Sequence, residues 1–165
     1  MAQASRNEGD DVDDESARAD AQDLFDAGEA EWGTDESQFN VILASRSFEQ
    51  LNMIFEKYSE IAGKEVEDAI KEEMSGDVQD AMMAVVKCAR LQAVYFAERL
   101  YKSMNGVGTD DIGLTRVMVS RSEVDLADIK IQFSAMYEQE LEQFIEEDIG
   151  GDYKRLMLAI CQGNQ

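Results

Sequence analysis

An all-α fold built from two tandem copies of one helical unit is what this sequence predicts, and three observations carry the prediction. Apolar residues recur at i, i+3 and i+4, the spacing of one helix face, and no segment alternates as a strand would. Proline, which would interrupt helices, is absent from the 165 residues. Most telling, the chain matches itself when shifted by 75 residues: from Gly33 to Cys88, 17 of 56 positions are identical without a gap. Gly33-Thr34-Asp35 falls on Gly108-Thr109-Asp110, Ser45-Arg46-Ser47 on Ser120-Arg121-Ser122, and Gly76-Asp77 on Gly151-Asp152. Self-similarity of this period is the signature of a repeat architecture, each repeat being one supersecondary unit.

The elements follow in order. Residues 1–15 read as an acidic linker, because the stretch before Ser16 is rich in Asp and Glu and nearly free of apolar residues. A helix is expected from near Ser16, carrying Leu24 and Phe25. The first unit, 16–88, then offers four apolar stripes: Phe39, Ile42 and Leu43; Leu51, Ile54, Phe55 and Tyr58; Val66, Ala69 and Ile70; Ala81, Met82 and Val85. The second unit, 89–165, opens with a helix around Val94 to Ser103. It continues with Val117 and Met118; Leu126, Ile129 and Phe133; Leu141, Phe144 and Ile145; Leu156 and Ile160. That makes about five short helices per unit. Thr34 and Thr109 suit N-caps, Ser47 with Gln50 has capping-box spacing, and Ser122 with Asp125 is a weaker version. Arg46 and Arg121 end the second helix of their units and are expected to hydrogen-bond nearby carbonyls. Met82, Met83, Met118, Met136 and Met157 read as core filling, and Cys88 and Cys161 as structural thiols.

Composition narrows the function. Fifteen Lys and Arg against 36 Asp and Glu give a net charge of −21. Such a chain is a poor partner for nucleic acid, whose phosphates are gripped by Lys and Arg, and an anionic membrane would repel it unless something bridged the two. With no His, a Ser-His-Asp triad and any His-ligated zinc or iron site are excluded. Two cysteines are too few for a disulfide scaffold or a four-cysteine metal site. No apolar run approaches the roughly 20 residues of a membrane span and no signal-peptide pattern opens the chain, so the expected compartment is the cytoplasm.

The candidate site is the glycine-containing loop of each unit, Met104-Asn105-Gly106-Val107-Gly108-Thr109-Asp110 in the second. Glycines let a short loop turn several carbonyl oxygens toward one point, and calcium, a hard cation, takes 6 to 8 oxygen ligands, carbonyls among them. A carboxylate is still needed. Asp148 stands forty residues after Gly108 and Glu73 forty after Gly33, each ending a predicted helix, where the dipole offers an anion nothing. The same loops also read as ordinary helix C-caps and turns. The acidic block near Asp11 is not an EF-hand, since its sixth loop position lacks Gly.

The combination Gly-Thr-Asp, Ser-Arg-Ser and acid-x-x-Gly-Asp resembles the annexin repeat. The most specific stretches are Gly108-Thr109-Asp110-Asp111, Arg116 to Asp125, and Gly151-Asp152-Tyr153-Lys154. The resemblance runs from about Ala17 to Gln162; the first unit, with Glu31-Trp32-Gly33-Thr34-Asp35-Glu36, is similar to the third annexin repeat and the second unit to the fourth. It implies an all-α fold with five helices per repeat and calcium-dependent binding to acidic phospholipid, with no catalysis. It implies that the carbonyls of Met104, Gly106 and Gly108, with the Asp148 carboxylate, hold one Ca²⁺. In the other repeat, whose loop has one extra residue, the set is Gly28, Glu31 and Gly33 with Glu73. Secondary calcium positions fall near Thr34 and Glu36, and near Thr109 and Asp111. Trp32 and Val107 are the matching loop tips, placed either to contact the membrane or, for Trp32, to pack back on its own repeat. A lipid phosphoryl oxygen completing the calcium shell would make lipid and calcium raise each other's affinity.

Two departures qualify the resemblance. Annexins have four repeats and this chain has two; Met1 to Ala4 read as the tail of a preceding repeat. Apolar surface facing a missing half would then favour self-association. Glu31 and Asn105 also stand where many annexins carry Lys, leaving the metal more of the bridging. The competing class is an acidic helical interaction module that binds a basic partner without metal.

Overall fold

Ordered burial of the predicted stripes generates the architecture. The computed structural model describes Arg6, Gly9, residues 11–28 and residues 36–163. Among the described residues it is all-helical: α1 (Asp14–Gly28), α2 (Glu36–Ser45), α3 (Phe48–Ala62), α4 (Val66–Glu73), α5 (Gly76–Met104), α6 (Asp111–Arg121), α7 (Leu126–Tyr137), α8 (Leu141–Asp148) and α9 (Gly151–Gly163). The chain divides into two compact units, Met1–Arg90 and Leu91–Gln165. Leu91 leaves helical geometry (φ −158°, ψ 96°) and breaks α5 into two helical segments, which gives each unit five. Asn52 Nδ2 donates to the Ala89 carbonyl at 2.7 Å, two residues before the break.

In unit 1 the core is closed by Leu24 of α1, Phe39 and Leu43 of α2, Leu51, Ile54, Phe55 and Tyr58 of α3, and Ile70 of α4, all essentially without solvent contact. In unit 2 the corresponding layer is Leu100, Leu114, Met118, Leu126, Ile129, Phe133, Leu141 and Ile145. Each such side chain contributes about 1.5–3 kcal/mol on burial, well above the roughly 1 kcal/mol of a single hydrogen bond. Packing therefore decides the fold and polar contacts adjust it.

Two stripes are rotated from their predicted register. In the segment of α5 before Leu91 the buried positions are Met82, Val86 and Ala89, with Ala81 exposed; in α9 they are Met157 and Cys161, with Leu156 exposed. The two repeats agree with each other here, since Met82 matches Met157 and Val86 matches Cys161. Met136, expected in the core, is instead exposed at 37%; it shares the face of Ile129 and Phe133 but lies in the last turn of α7, which ends at Tyr137.

Several ends are also capped differently. Helix α1 begins at Asp14 rather than Ser16, because the Asp13 carboxylate accepts from the amides of Glu15 and Ser16. The end of the acidic stretch is tied down: Asp13 exchanges two hydrogen bonds with the Gln50 side chain, and Arg6 donates to the carbonyls of Leu43 and Arg46. Ser47 does cap α3, accepting from Gln50 N at 3.1 Å, but the Gln50 amide turns to Asp13 rather than completing a box. Ser122 is not the N-cap of α7, which is Asp125; it ends α6 in helical conformation and its hydroxyl donates to the Val119 carbonyl. The two arginines bind carboxylates rather than carbonyls. Arg46 forks onto the buried Asp20 at 2.7 and 2.9 Å, and Arg121 onto Asp125 at 2.7 Å on both nitrogens. A buried acid such as Asp20 needs a paired cation, and this bond pushes the Arg46 guanidinium pKa up.

Helices α3 and α7 end alike, with unlike residues. Gly63 (φ 68°) and Glu138 (φ 55°) both take the left-handed cap and donate to the Ser59 and Ser134 carbonyls at 3.0 Å. Only glycine does so without steric cost. Gly63→Ala is expected to lower stability by about 1 kcal/mol and Glu138→Gly to raise it by a smaller amount, read as shifts in urea midpoint; equal effects of the same sign would contradict this. Both thiols are free, and burial pushes Cys161 up to about 12 from 9. The folded pKa lies above the unfolded one, so this contribution is complete below pH 9 and lost as the pH rises toward 12. The loss of stability between those pH values is expected to shrink in Cys161→Ala, measured by urea unfolding at a series of alkaline pH values.

Candidate metal centre

The second unit brings its loop and its acid together, and aromatic packing does the bringing. Tyr101, in the last turn of α5, stacks on Tyr137 of α7 with centroids 3.9 Å apart and planes 6° from parallel. It also meets Phe144 of α8 at 5.4 Å, and Phe133 closes the group at 5.5 Å from Phe144. Helix α8 is thereby docked beside the end of α5, and Asp148 lies one turn beyond Phe144. The start of α9 arrives at the same end, where the Tyr153 hydroxyl lies 2.8 Å from Thr115 Oγ1 and 3.0 Å from the Asp111 carbonyl.

The loop itself is shaped by its glycines and closed by its backbone. Gly106 (φ 148°) and Gly108 (φ 82°) occupy conformations that side chains disfavour. Asn105 N donates to the Tyr101 carbonyl at 2.8 Å, and Asp110 N to the Ser103 carbonyl at 2.7 Å, so residues 105–109 form a short closed excursion. Met104 keeps its side chain in the core at 2% exposure, while Val107 at the tip is fully exposed.

The N-cap of α6 is Asp110 rather than Thr109. Its carboxylate accepts from Gly113 N at 2.9 Å. Thr109 Oγ1 is thereby released to donate to Asp148 Oδ2 at 2.7 Å, a bond spanning 39 residues. The carboxylate therefore sits against the residue that follows Gly108, within the loop's own neighbourhood. The tripeptide Gly-Thr-Asp contains two residue types able to cap, so spacing alone left a one-residue ambiguity. What resolves it is the position of Asp148, which a local pattern does not contain.

In the first unit the arrangement is described in part. Gly28 is the last residue of α1 and Glu73, exposed, the last of α4. Glu31, Trp32 and Gly33, like Thr34, lie outside the described residues, as does the side chain of Glu36. Among the described residues no three His, Cys, Asp or Glu side chains gather to hold a metal. In the second unit the glycine loop and Asp148 bring backbone carbonyls and one carboxylate into the same neighbourhood, oxygen donors that suit a hard divalent cation and not a soft one. No described helix is long and apolar enough to cross a membrane.

The Annexin family model matches residues 19–85 and again residues 95–160. The chain belongs to the annexin family. Among similar proteins is annexin A13 of Homo sapiens, 51% identical over 160 residues, which make up 97% of this chain and 51% of that protein. Annexin A4 of Sus scrofa is 48% identical over 164 residues, 99% of this chain and 51% of that protein. The solved structure of annexin III superposes with a TM-score of 0.93 at 45% identity, covering 98% of this chain and 50% of that one. A calcium-bound structure of annexin (Sm)1 superposes at 0.81 with 32% identity, over 91% of this chain and 40% of that one. This annexin chain thus spans about half the length of the relatives it matches.

Proposed function

We propose that this chain binds acidic phospholipid membranes in a calcium-dependent manner, through one oxygen site per repeat, and acts by binding rather than catalysis. The observation that supports it most is the 2.7 Å bond between Thr109 and Asp148, because it keeps a carboxylate beside the glycine loop. In this reading the carbonyls of Met104, Gly106 and Gly108, with both Asp148 oxygens, hold Ca²⁺ in the second repeat. Gly28, Glu31 and Gly33, with Glu73, do so in the first. Calcium, when bound, supplies a positive charge that a lipid phosphate can share. The solved relative with calcium bound lends support at the level of the family.

The residues divide the work. The loop carbonyls are neutral, so each site carries one formal negative charge and its affinity without lipid is low, roughly 10⁻⁴–10⁻³ M. Val107, fully exposed at its loop tip, meets the bilayer, and Trp32 is its counterpart in the first repeat. The net charge of −21 holds the chain off an anionic surface until calcium intervenes, making it a peripheral protein of the cytoplasm when calcium is raised. Cosedimentation with phosphatidylserine vesicles tests the reading. Binding is expected with calcium, lost with chelator, and lost in the double variant Glu73→Gln with Asp148→Asn. Binding that ignores calcium would favour the metal-free interaction module.

A further inference from the structure

We infer that Tyr153 is a positioning residue for the second repeat: its hydroxyl ties the start of α9 to the start of α6, and so fixes how far Asp148 stands from the glycine loop. The inference rests on the calcium reading above and adds to it a side chain that never touches the metal.

The two halves of the proposed site hang from these two helices. The glycine loop runs directly into Asp110, the N-cap of α6, and Asp148 stands three residues before Gly151, the first residue of α9. The connection on the acid's side is pliant. Gly150 and Gly151 follow one another there, with Gly151 at φ 66°, and adjacent glycines leave the backbone the widest choice of conformation. Chain connectivity alone therefore does not fix α9 against α6, and a contact between the two helices has to.

Tyr153 supplies that contact. Its ring packs against the core of unit 2, and its hydroxyl lies 3.0 Å from the Asp111 carbonyl and 2.8 Å from Thr115 Oγ1. A carbonyl can only accept, so the phenol proton goes to Asp111 and the Thr115 hydroxyl donates to the phenol oxygen. Both bonds land in the first two turns of α6, 42 and 38 residues away in the chain.

The first repeat is built otherwise. At the 75-residue shift Tyr153 falls on Val78, Thr115 on Asn40 and Gly150 on Ser75. Val78 packs against the core of unit 1, but its side chain has no hydrogen to donate. The repeat with the additional glycine is thus the repeat with the additional tie. The contrast makes the first repeat an internal reference for the second.

The test is a calcium titration of the full chain, uniformly ¹⁵N-labelled, read at the amides of Gly106 and Gly108 for the second repeat and of Gly28 for the first. Tyr153→Phe keeps the ring and loses the hydroxyl. It is expected to raise the half-saturating calcium at Gly106 and Gly108 by about threefold or more, the worth of one hydrogen bond, and to leave Gly28 unchanged. Thr115→Ser, which keeps a hydroxyl, is expected to match the parent. In the calcium-free protein, the Leu114 and Lys154 amides, which donate to the Asp110 and Gly150 carbonyls in the first turns of α6 and α9, are expected to exchange faster by a similar factor in Tyr153→Phe. The Ala69 amide of unit 1 is expected to keep its rate. Circular dichroism confirms folding of each variant, and Thr115→Val replaces Tyr153→Phe should the latter fail. An unchanged half-saturation at Gly106 and Gly108 in the hydroxyl-free variant, or an equal rise at Gly28, would overturn the positioning role; with the response still lost in Asp148→Asn, the calcium reading would stand. No saturable response at Gly106 and Gly108 in the parent would overturn that reading and this inference together.

Discussion

The apolar stripe that each helix turns inward governs where every loop of a unit can go. In unit 2, Leu100, Leu114, Leu126, Phe133, Leu141 and Ile145 are sealed from solvent, and each is worth more than any one polar contact at the surface. Once those side chains are buried together, the end of α5, the start of α6, the end of α8 and the start of α9 have little choice but to meet. The Tyr101–Tyr137 stack and Phe144 fix the last ångströms. Thr109 and Asp148, 39 residues apart in the chain, become hydrogen-bond partners as a consequence of packing. The proposed metal centre would thus be a by-product of the core, needing only one carboxylate and a few carbonyls.

Repetition made most of this legible in the sequence. The 75-residue shift and the i, i+3, i+4 stripes identified the helices, and Leu51, Ile54, Phe55 and Tyr58 are as buried as their spacing requires. Glycines at 106 and 108 marked a loop that needs unusual backbone angles, and both have positive φ. What spacing missed depends on partners distant in sequence. Arg46 chooses Asp20 of α1, and Gln50 reaches back to Asp13. Thr109 gives up the cap to Asp110 because Asp148 is waiting for its hydroxyl. The misread stripes of α5 and α9 have a simpler cause. Ala81-Met82-Met83-Ala84-Val85-Val86 and Leu156-Met157-Leu158-Ala159-Ile160-Cys161 are almost wholly apolar, so a one-residue rotation is invisible until neighbours select the inner face.

The two repeats also differ in instructive ways. Gly63 and Glu138 accept the same left-handed turn at different cost, so the fold tolerates local strain where a carbonyl must be satisfied. Val107 carries no charge at a tip that Asp110 and Asp111 follow in the chain. A cation is then the natural complement to the carbonyls and Asp148, and a lipid phosphate the natural complement to the cation. In the proposed function the excess negative charge acts as a switch, opposing an anionic surface in the absence of metal and yielding to it in its presence.

That coupling is the heart of the account and is open to one direct measurement. Calcium binding to the full chain is measured by equilibrium dialysis, first alone and then with phosphatidylserine vesicles at saturating lipid. In the proposed site lipid and ion would share a coordination shell, so the half-saturating calcium is predicted to fall by about fivefold or more when vesicles are present. Superimposable isotherms with and without lipid would contradict it.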